Sequence, residues 1–306
     1  MKQILNIISV LILVILFNSC SVLGLIQSKK EITGDYVLEL HPESSYGYYD
    51  MSINVIQGIA AFEDGFFTSQ TSANKYLSIN FLNDQGKSVF NKRFNIVSHG
   101  QDLSWEQASD SLLYLYTSWG HFNKKAKSGI LRIKVKLPEK VNGKRDMSQL
   151  EMEIDKVYNL HLDNATPTIN EEKTHFAVRS ANDILIINKE NLFDNDLQYA
   201  RIFHLDQTQL KDENGKTLWF QGIAMKDDKV YCVTGNNSID SPKYLYVYNI
   251  NGEVLKKYQL NKNDFAKNIG HKYEPEGITF KNGDLYYTVM TKANTGGNRK
   301  FLFKLK

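Results

Sequence analysis

Short runs in which aromatic or β-branched residues alternate with polar ones recur along almost the whole chain, and residues 220–260 carry the pattern most completely. Gly222-Ile223-Ala224 is followed by an Asp227-Asp228 turn, the run Val230-Tyr231-Cys232-Val233, a polar loop, and the run Tyr244-Leu245-Tyr246-Val247-Tyr248. Asn251-Gly252 then leads into a last run over 254–258. Period-two alternation predicts strands, and Asn-Gly between two such runs is the strongest short hairpin signal. The stretch is therefore predicted to be a four-stranded antiparallel meander.

Four other stretches echo it. Gln57-Gly58-Ile59-Ala60 precedes strands predicted over 76–81 and 89–94, and Glu276-Gly277-Ile278 opens a similar unit near the end. Two copies are more degenerate. Gln101-Asp102-Leu103-Ser104-Trp105 leads into 112–116 and 130–135, and Pro167-Thr168-Ile169-Asn170 leads into 175–178 and 184–187. Ile59, Leu103, Ile169, Ile223 and Ile278 align at steps of 44, 66, 54 and 55 residues. About four strands repeated at this spacing predict a β-propeller, and five copies predict five blades. The last copy has three strands, over 277–280, 285–290 and 301–305, while a spare strand at 36–40 precedes the first. Pairing the spare strand with the last blade would remove the open edges of a partial ring. The expected fold is all-β, a single five-bladed propeller over residues 34–306 with the N-terminal strand closing the last blade. Residues 137–153 form a polar insertion that lengthens the second unit, as an extended hairpin or a mobile loop.

Residues 1–19 stand apart. Lys2 precedes an apolar run over 4–17, and Asn18-Ser19 lead to Cys20. This pattern predicts a lipoprotein signal peptide that ends at Cys20, whose thiol would be acylated; an uncleaved anchor and plain secretion are the alternatives. Residues 20–33 would then be a tether holding a monomeric domain at the bacterial cell envelope, on the periplasmic or outer-membrane surface. With Cys20 lipidated, Cys232 has no disulfide partner and reads as a small buried hydrophobe inside a strand. A net charge of +3 with no basic stripe argues against nucleic acid as a partner. Lys124-Lys125-Ala126-Lys127 reads as a solvated hairpin tip.

In a propeller, residues just before each innermost strand line one mouth of the central channel. Here they include Gln57, His99, Gln101, Asp102, Gln221, Glu274 and Glu276. Such groups either hydrogen-bond neighbouring blades and hold the ring shut, or converge on a ligand. His99 and Glu276 depart from the glutamine pattern, which makes them candidates for holding a divalent cation such as calcium or for acid–base work. Trp105 and Trp219, with Trp119 and the aromatic cluster at 46–49, serve either the core or a platform for sugar rings. No serine elbow, paired histidines or carboxylate pair with hydrolytic spacing is present, so binding is expected ahead of catalysis.

His99-Gly100-Gln101-Asp102, Phe220-Gln221-Gly222-Ile223-Ala224 with 244–248, and Glu274-Pro275-Glu276-Gly277-Ile278 together resemble the propeller shared by teichoic-acid biosynthesis protein C, phage receptor-binding proteins and helveticin-type bacteriocins. The likeness covers residues 36–306. It implies a five-bladed propeller that recognises cell-surface glycopolymers. The lipobox-like leader is foreign to a tail protein or a released bacteriocin, and implies a membrane-tethered relative. The same short motifs occur in metal-dependent lactonases and phytase-like esterases. That keeps open a hydrolase using Glu276, His99 and Asp102 around a cation, and a protein-interaction scaffold is the third reading.

Overall fold

A computed structural model describes residues 30–42, 55–72, 76–120, 127–194, 196–205, 211, 215, 218–238, 240–261, 273–292 and 298–306. The leader with Cys20, the cluster at 46–49 and Lys124-Lys125-Ala126 lie outside the described residues.

Five four-stranded blades follow one another along the chain. The first is Val55–Phe62, Gly65–Ser72, Tyr76–Leu82 and Ser88–Phe94. The second is Ser104–Ser109, Leu112–Trp119, Lys127–Lys136 and Glu151–Asp163. Thr166–Ile169, His175–Ser180, Asp183–Asn188 and Arg201–His204 form the third. Trp219–Lys226, Lys229–Gly235, Tyr244–Asn249 and Val254–Leu260 form the fourth, the meander expected from its alternation. Its Asn251-Gly252 turn is set by Gly252 at φ +88°, while Asn249 Oδ1 accepts from the amides of Asn251 and Glu253 at 2.9 and 3.0 Å. The fifth blade takes Tyr273–Lys281, Asp284–Lys292 and Asn298–Leu305 from the C-terminus and Gly34–Leu40 from the N-terminus.

That closure is the one the spare strand implied. Gly34–Leu40 pairs antiparallel with Asn298–Leu305, from Gly34 opposite Leu305 to Leu40 opposite Lys300, with one register shift between Tyr36 and Leu38. Arg299 donates two bonds to the Glu39 carboxylate, at 2.9 and 2.6 Å. Tyr36 meets the edges of Phe301 and Phe303 at about 6 Å between centroids. Leu40 is buried with Ile56, Ile59, Phe66 and Leu302, which joins the last blade to the first.

Both faces of every blade pack on a neighbour, so the middle strands are buried throughout: 244–248 presents five consecutive buried residues. Among the described residues the core divides into five clusters, one per interface between blades. Cys232 is a free thiol wholly inside the cluster between the third and fourth blades, as a small hydrophobe.

Two boundaries differ from expectation. Lys30–Ile32, expected in the tether, is a strand that pairs parallel with Val254–Leu260 of the fourth blade, and Ile32 is buried. A three-residue strand is too short to register as alternation in sequence. The insertion expected over 137–153 ends at Leu150, because Glu151 already belongs to the outer strand of the second blade. Its residues form a hairpin, Lys140–Val141 with Lys144–Arg145, and a 3-10 turn over Met147–Gln149. Met147 and Leu150 enter the core between the first two blades, and Arg145 Nε donates to Glu63 at 3.1 Å. Lys134–Glu153 and Lys136–Glu151 ion pairs cover the outer strand, which reads as polar for that reason.

Removing residues up to Leu40 strips a seven-residue ladder and a buried leucine from the closing blade. Leu40→Ala alone is expected to cost about 2–5 kcal/mol, and the truncated chain should melt well below the intact one. Equal melting temperatures for truncated and intact chains would show that closure contributes nothing.

Candidate functional site

All five innermost strands start at one end of the axis, the upper mouth, and end in tight turns at the other, the lower mouth. The polar-Gly-Ile motif repeated in the sequence corresponds to a β-bulge at the upper mouth. Ladder register slips between Ile56 and Gly58, between Phe220 and Gly222, and between Pro275 and Ile278. Gln57, Gln221 and Glu276 therefore sit at irregular positions whose groups turn from their own ladder toward other blades. The glycine that follows lies where blades touch. A Cβ at Gly58 would fall 2.7 Å from the Asp102 Cα, one at Gly222 2.5 Å from the Glu276 carbonyl oxygen, and one at Gly277 2.7 Å from the Ile59 nitrogen.

The second blade has no such bulge and uses Gln101 and Asp102 instead, with Asp102 at φ +58°. The Asp102 amide donates to the Gln57 carbonyl of the first blade at 3.0 Å. One carboxylate oxygen of Asp102 accepts from Leu103 N at 3.0 Å, and the other accepts from Ile223 N of the fourth blade at 2.6 Å. Gln101 Nε2 donates to the Gln221 carbonyl at 2.9 Å. The bonds to Ile223 N and to the Gln221 carbonyl cross the axis and tie the second blade to the fourth, which is not its neighbour.

Arg179, which the sequence reading missed, completes the plug. It stands on the second strand of the third blade, donates through Nη1 to the Phe220 carbonyl at 2.8 Å and through Nη2 to Gln101 Oε1 at 3.4 Å. Its Nε is buried without a partner. Burial pulls the guanidinium down to about 10. Its signal was faint: one cation after the short apolar run Phe176-Ala177-Val178 in the strand His175–Ser180.

The other expected residues divide between the two mouths. Gln221 Nε2 donates to Glu274 Oε1 at 2.6 Å. Burial pushes the Glu276 carboxyl well up, and the neighbouring Glu274 adds to the rise. Asp102 is also pushed up by burial, against the pull of its two amide donors. His99 lines a void of about 10 Å³ with Gln101, Trp119 and Asn164, and burial and then the Arg179 charge hold it down to about 4, so the ring is neutral at pH 7. No three His, Cys, Asp or Glu side chains among the described residues form a metal-holding group. Trp219 stands at the start of the fourth blade's inner strand and is 58% exposed.

Trp105 belongs to the lower mouth. Its indole donates to the Ala61 carbonyl at 2.6 Å and meets Phe62 edge-on at 5.3 Å. It also borders a cavity of about 120 Å³ built from all five blades. Trp105 and Trp219 thus cannot share one platform, because Trp105 lies past its strand's start and Trp219 at it.

A family model described as the phage 5-bladed beta propeller receptor binding platform domain matches residues 59–296. Among solved structures, the tail fiber of Staphylococcus aureus phage P68 matches with a TM-score of 0.62 at 18% identity over 90% of this chain. The chain spans about half of that tail fiber, 52%. An engineered GH43 glycoside hydrolase with endo-xylanase and exo-arabinofuranosidase activity matches with a TM-score of 0.50 at 10% identity, covering 84% of this chain and 51% of that one. At these identities the two structures speak for the fold alone. No curated protein sequence matches the chain.

An acid whose folded pKa is raised contributes stability below its ordinary value and loses it as pH rises toward the folded value. Glu276→Gln removes that loss. The variant should melt with the parent near pH 4 and a few degrees above it at pH 8, each kcal/mol being worth about 2–4 °C in a chain of this size. Thermal melts from pH 4 to 8 test it, since Asp102 and His99 are common to both proteins; parallel curves would place Glu276 in an ordinary solvated setting.

Proposed function

The chain belongs to the family of phage five-bladed β-propeller receptor-binding platform domains, and from that premise we propose that it is a non-covalent binding module for a carbohydrate or cell-envelope glycopolymer at its upper mouth. The observation that carries this reading is the exposed Trp219 at the head of the strand that also holds Gln221, whose amide is bonded to Glu274 of the fifth blade. An aromatic face offers the apolar side of a sugar ring a surface, and an amide beside a carboxylate offers its hydroxyls both a donor and acceptors.

The cross-axis bonds of Gln101 and Asp102 are already spent on the ring, so their role in binding is to fix the mouth's shape. Recognition falls to the rim. Calorimetry of the mature protein against a glycan panel, with calcium and with chelator, is the test. Saturable binding that survives chelation and weakens about tenfold, or roughly 1.4 kcal/mol, in Trp219→Ala and Gln221→Ala supports the module. Turnover of a lactone or phosphodiester that chelator abolishes would replace it with the hydrolase, and silence in both assays with the scaffold.

The leader motif supports a second element of the same reading, a bacterial lipoprotein held at the envelope through acylated Cys20. Two or more acyl chains give an anchor that washing does not release. Cys20→Ser should move the protein from the membrane fraction to the soluble or secreted one. Unchanged membrane recovery would point to an uncleaved N-terminal helix.

A further inference from the structure

We propose that the lower mouth is a second binding site, distinct from the glycan rim, for a small oxyanion of the phosphate type held by Lys173. The cavity there is about 120 Å³, room for about four waters, which suits one tetrahedral oxyanion.

Its wall is rich in donors. Ser104 Oγ accepts from Ile169 N at 3.3 Å, and Thr279 Oγ1 accepts from Ala61 N at 3.1 Å. A hydroxyl that accepts from a backbone amide still has its own hydrogen to give. Both amide bonds join neighbouring blades, so the ring itself sets these hydroxyls in place. Thr168 adds a third buried hydroxyl to the same wall.

The charge balance points the same way. Lys173 lies in the turn that follows the third blade's inner strand, and its ammonium stands 4.5 Å from the centre of the Trp105 ring. Among the described residues no carboxylate pairs with it within 4.0 Å, whereas the one acidic side chain of the wall, Glu171, lies 3.4 Å from Lys226. The wall therefore presents a cation with no ion-pair partner within 4.0 Å among the described residues, together with hydroxyl donors and one acid paired elsewhere. Burial already pulls the Lys173 ammonium down from its ordinary range, opposed at longer range by Glu106, which itself pairs with Lys189 at 2.6 Å, and then by Glu171 and Glu172. An anion would restore the balance that burial upsets. Nothing at the upper mouth is needed for this, so the two sites fail or stand separately.

Lys173 has φ +61°, a conformation that asparagine adopts at little cost. Lys173→Asn therefore removes the cation while keeping the turn, and Lys173→Met serves if that variant does not fold. The test titrates inorganic phosphate against the whole mature protein at constant ionic strength with chloride, following melting temperature and phosphorus line width. Glycerol 3-phosphate in a parallel titration separates a free ion from a terminal phosphate ester. A saturable rise in melting temperature with either probe, weakened at least tenfold in the variant, is expected. No saturable response up to tens of millimolar, or an equal response in the variant, overturns the proposal.

Discussion

A propeller has no hub. Each blade packs on two neighbours through a greasy face, and that packing alone leaves the ring free to slip or open along any one seam. In this chain the freedom is removed by two consecutive side chains, Gln101 and Asp102, whose bonds reach past the adjacent blade to the fourth one. Because the Asp102 amide also holds the Gln57 carbonyl, three blades are referred to one residue. The cost is a carboxyl buried where its charge is disfavoured, and two backbone donors on the ionised form meet that cost in part. Replacing Asp102 with an apolar residue would leave the Leu103 and Ile223 amides unpaired, and replacing Gln101 would take the donor from the Gln221 carbonyl, at the tightest point of the structure; each such loss typically costs about 1–3 kcal/mol per group.

The same pin explains why the glycines are where they are. Backbones meet at the axis closely enough that a β-carbon at Gly58 or Gly277 has no room, and the bulge beside each glycine turns a polar group out of the ladder toward another blade. Polar-Gly-Ile is thus a packing device first: the polar residue closes the ring, the glycine lets the next blade approach, and the isoleucine starts the buried face. What protrudes beyond this device meets a ligand first, and that is why the exposed Trp219 carries the binding argument together with the Gln221–Glu274 pair, while Gln57 and Gln101 do not.

Repeat number, blade order and ring closure were legible because each depends on local alternation and on counting strands, and the spare strand at 36–40 had no other place to go. What escaped was set by long-range contact. Arg179 and Lys173 are single cations in ordinary-looking segments, and only the third dimension puts one at the axis and the other over Trp105. Trp105 and Trp219 look equivalent in sequence, since each lies within a few residues of the start of an inner strand. They face opposite mouths because Trp219 heads its strand before the bulge and Trp105 follows Ser104 in the stretch that leads away from the plug. The outer strand Glu151–Asp163 was partly taken for insertion because its ion pairs with the preceding strand hide the β pattern behind charge.

The plug also gives the two mouths different chemistry. Above it, polar groups answer one another: Gln221 with Glu274, Gln101 with Arg179, Asp102 with two amides, so a ligand meets a surface of fixed shape and little net charge. Such a surface suits a neutral, hydroxyl-bearing polymer whose affinity comes from stacking and many modest bonds. Below it, hydroxyls that accept across the seams keep their hydrogens to spare, and a lysine over an aromatic ring is ion-paired with no carboxylate within 4.0 Å among the described residues. That surface suits one compact charge. A single closed ring can carry both because the buried side chains that hold the blades together, Gln101, Asp102 and Arg179, are committed to one another and to the backbone of other blades rather than to either mouth's ligand.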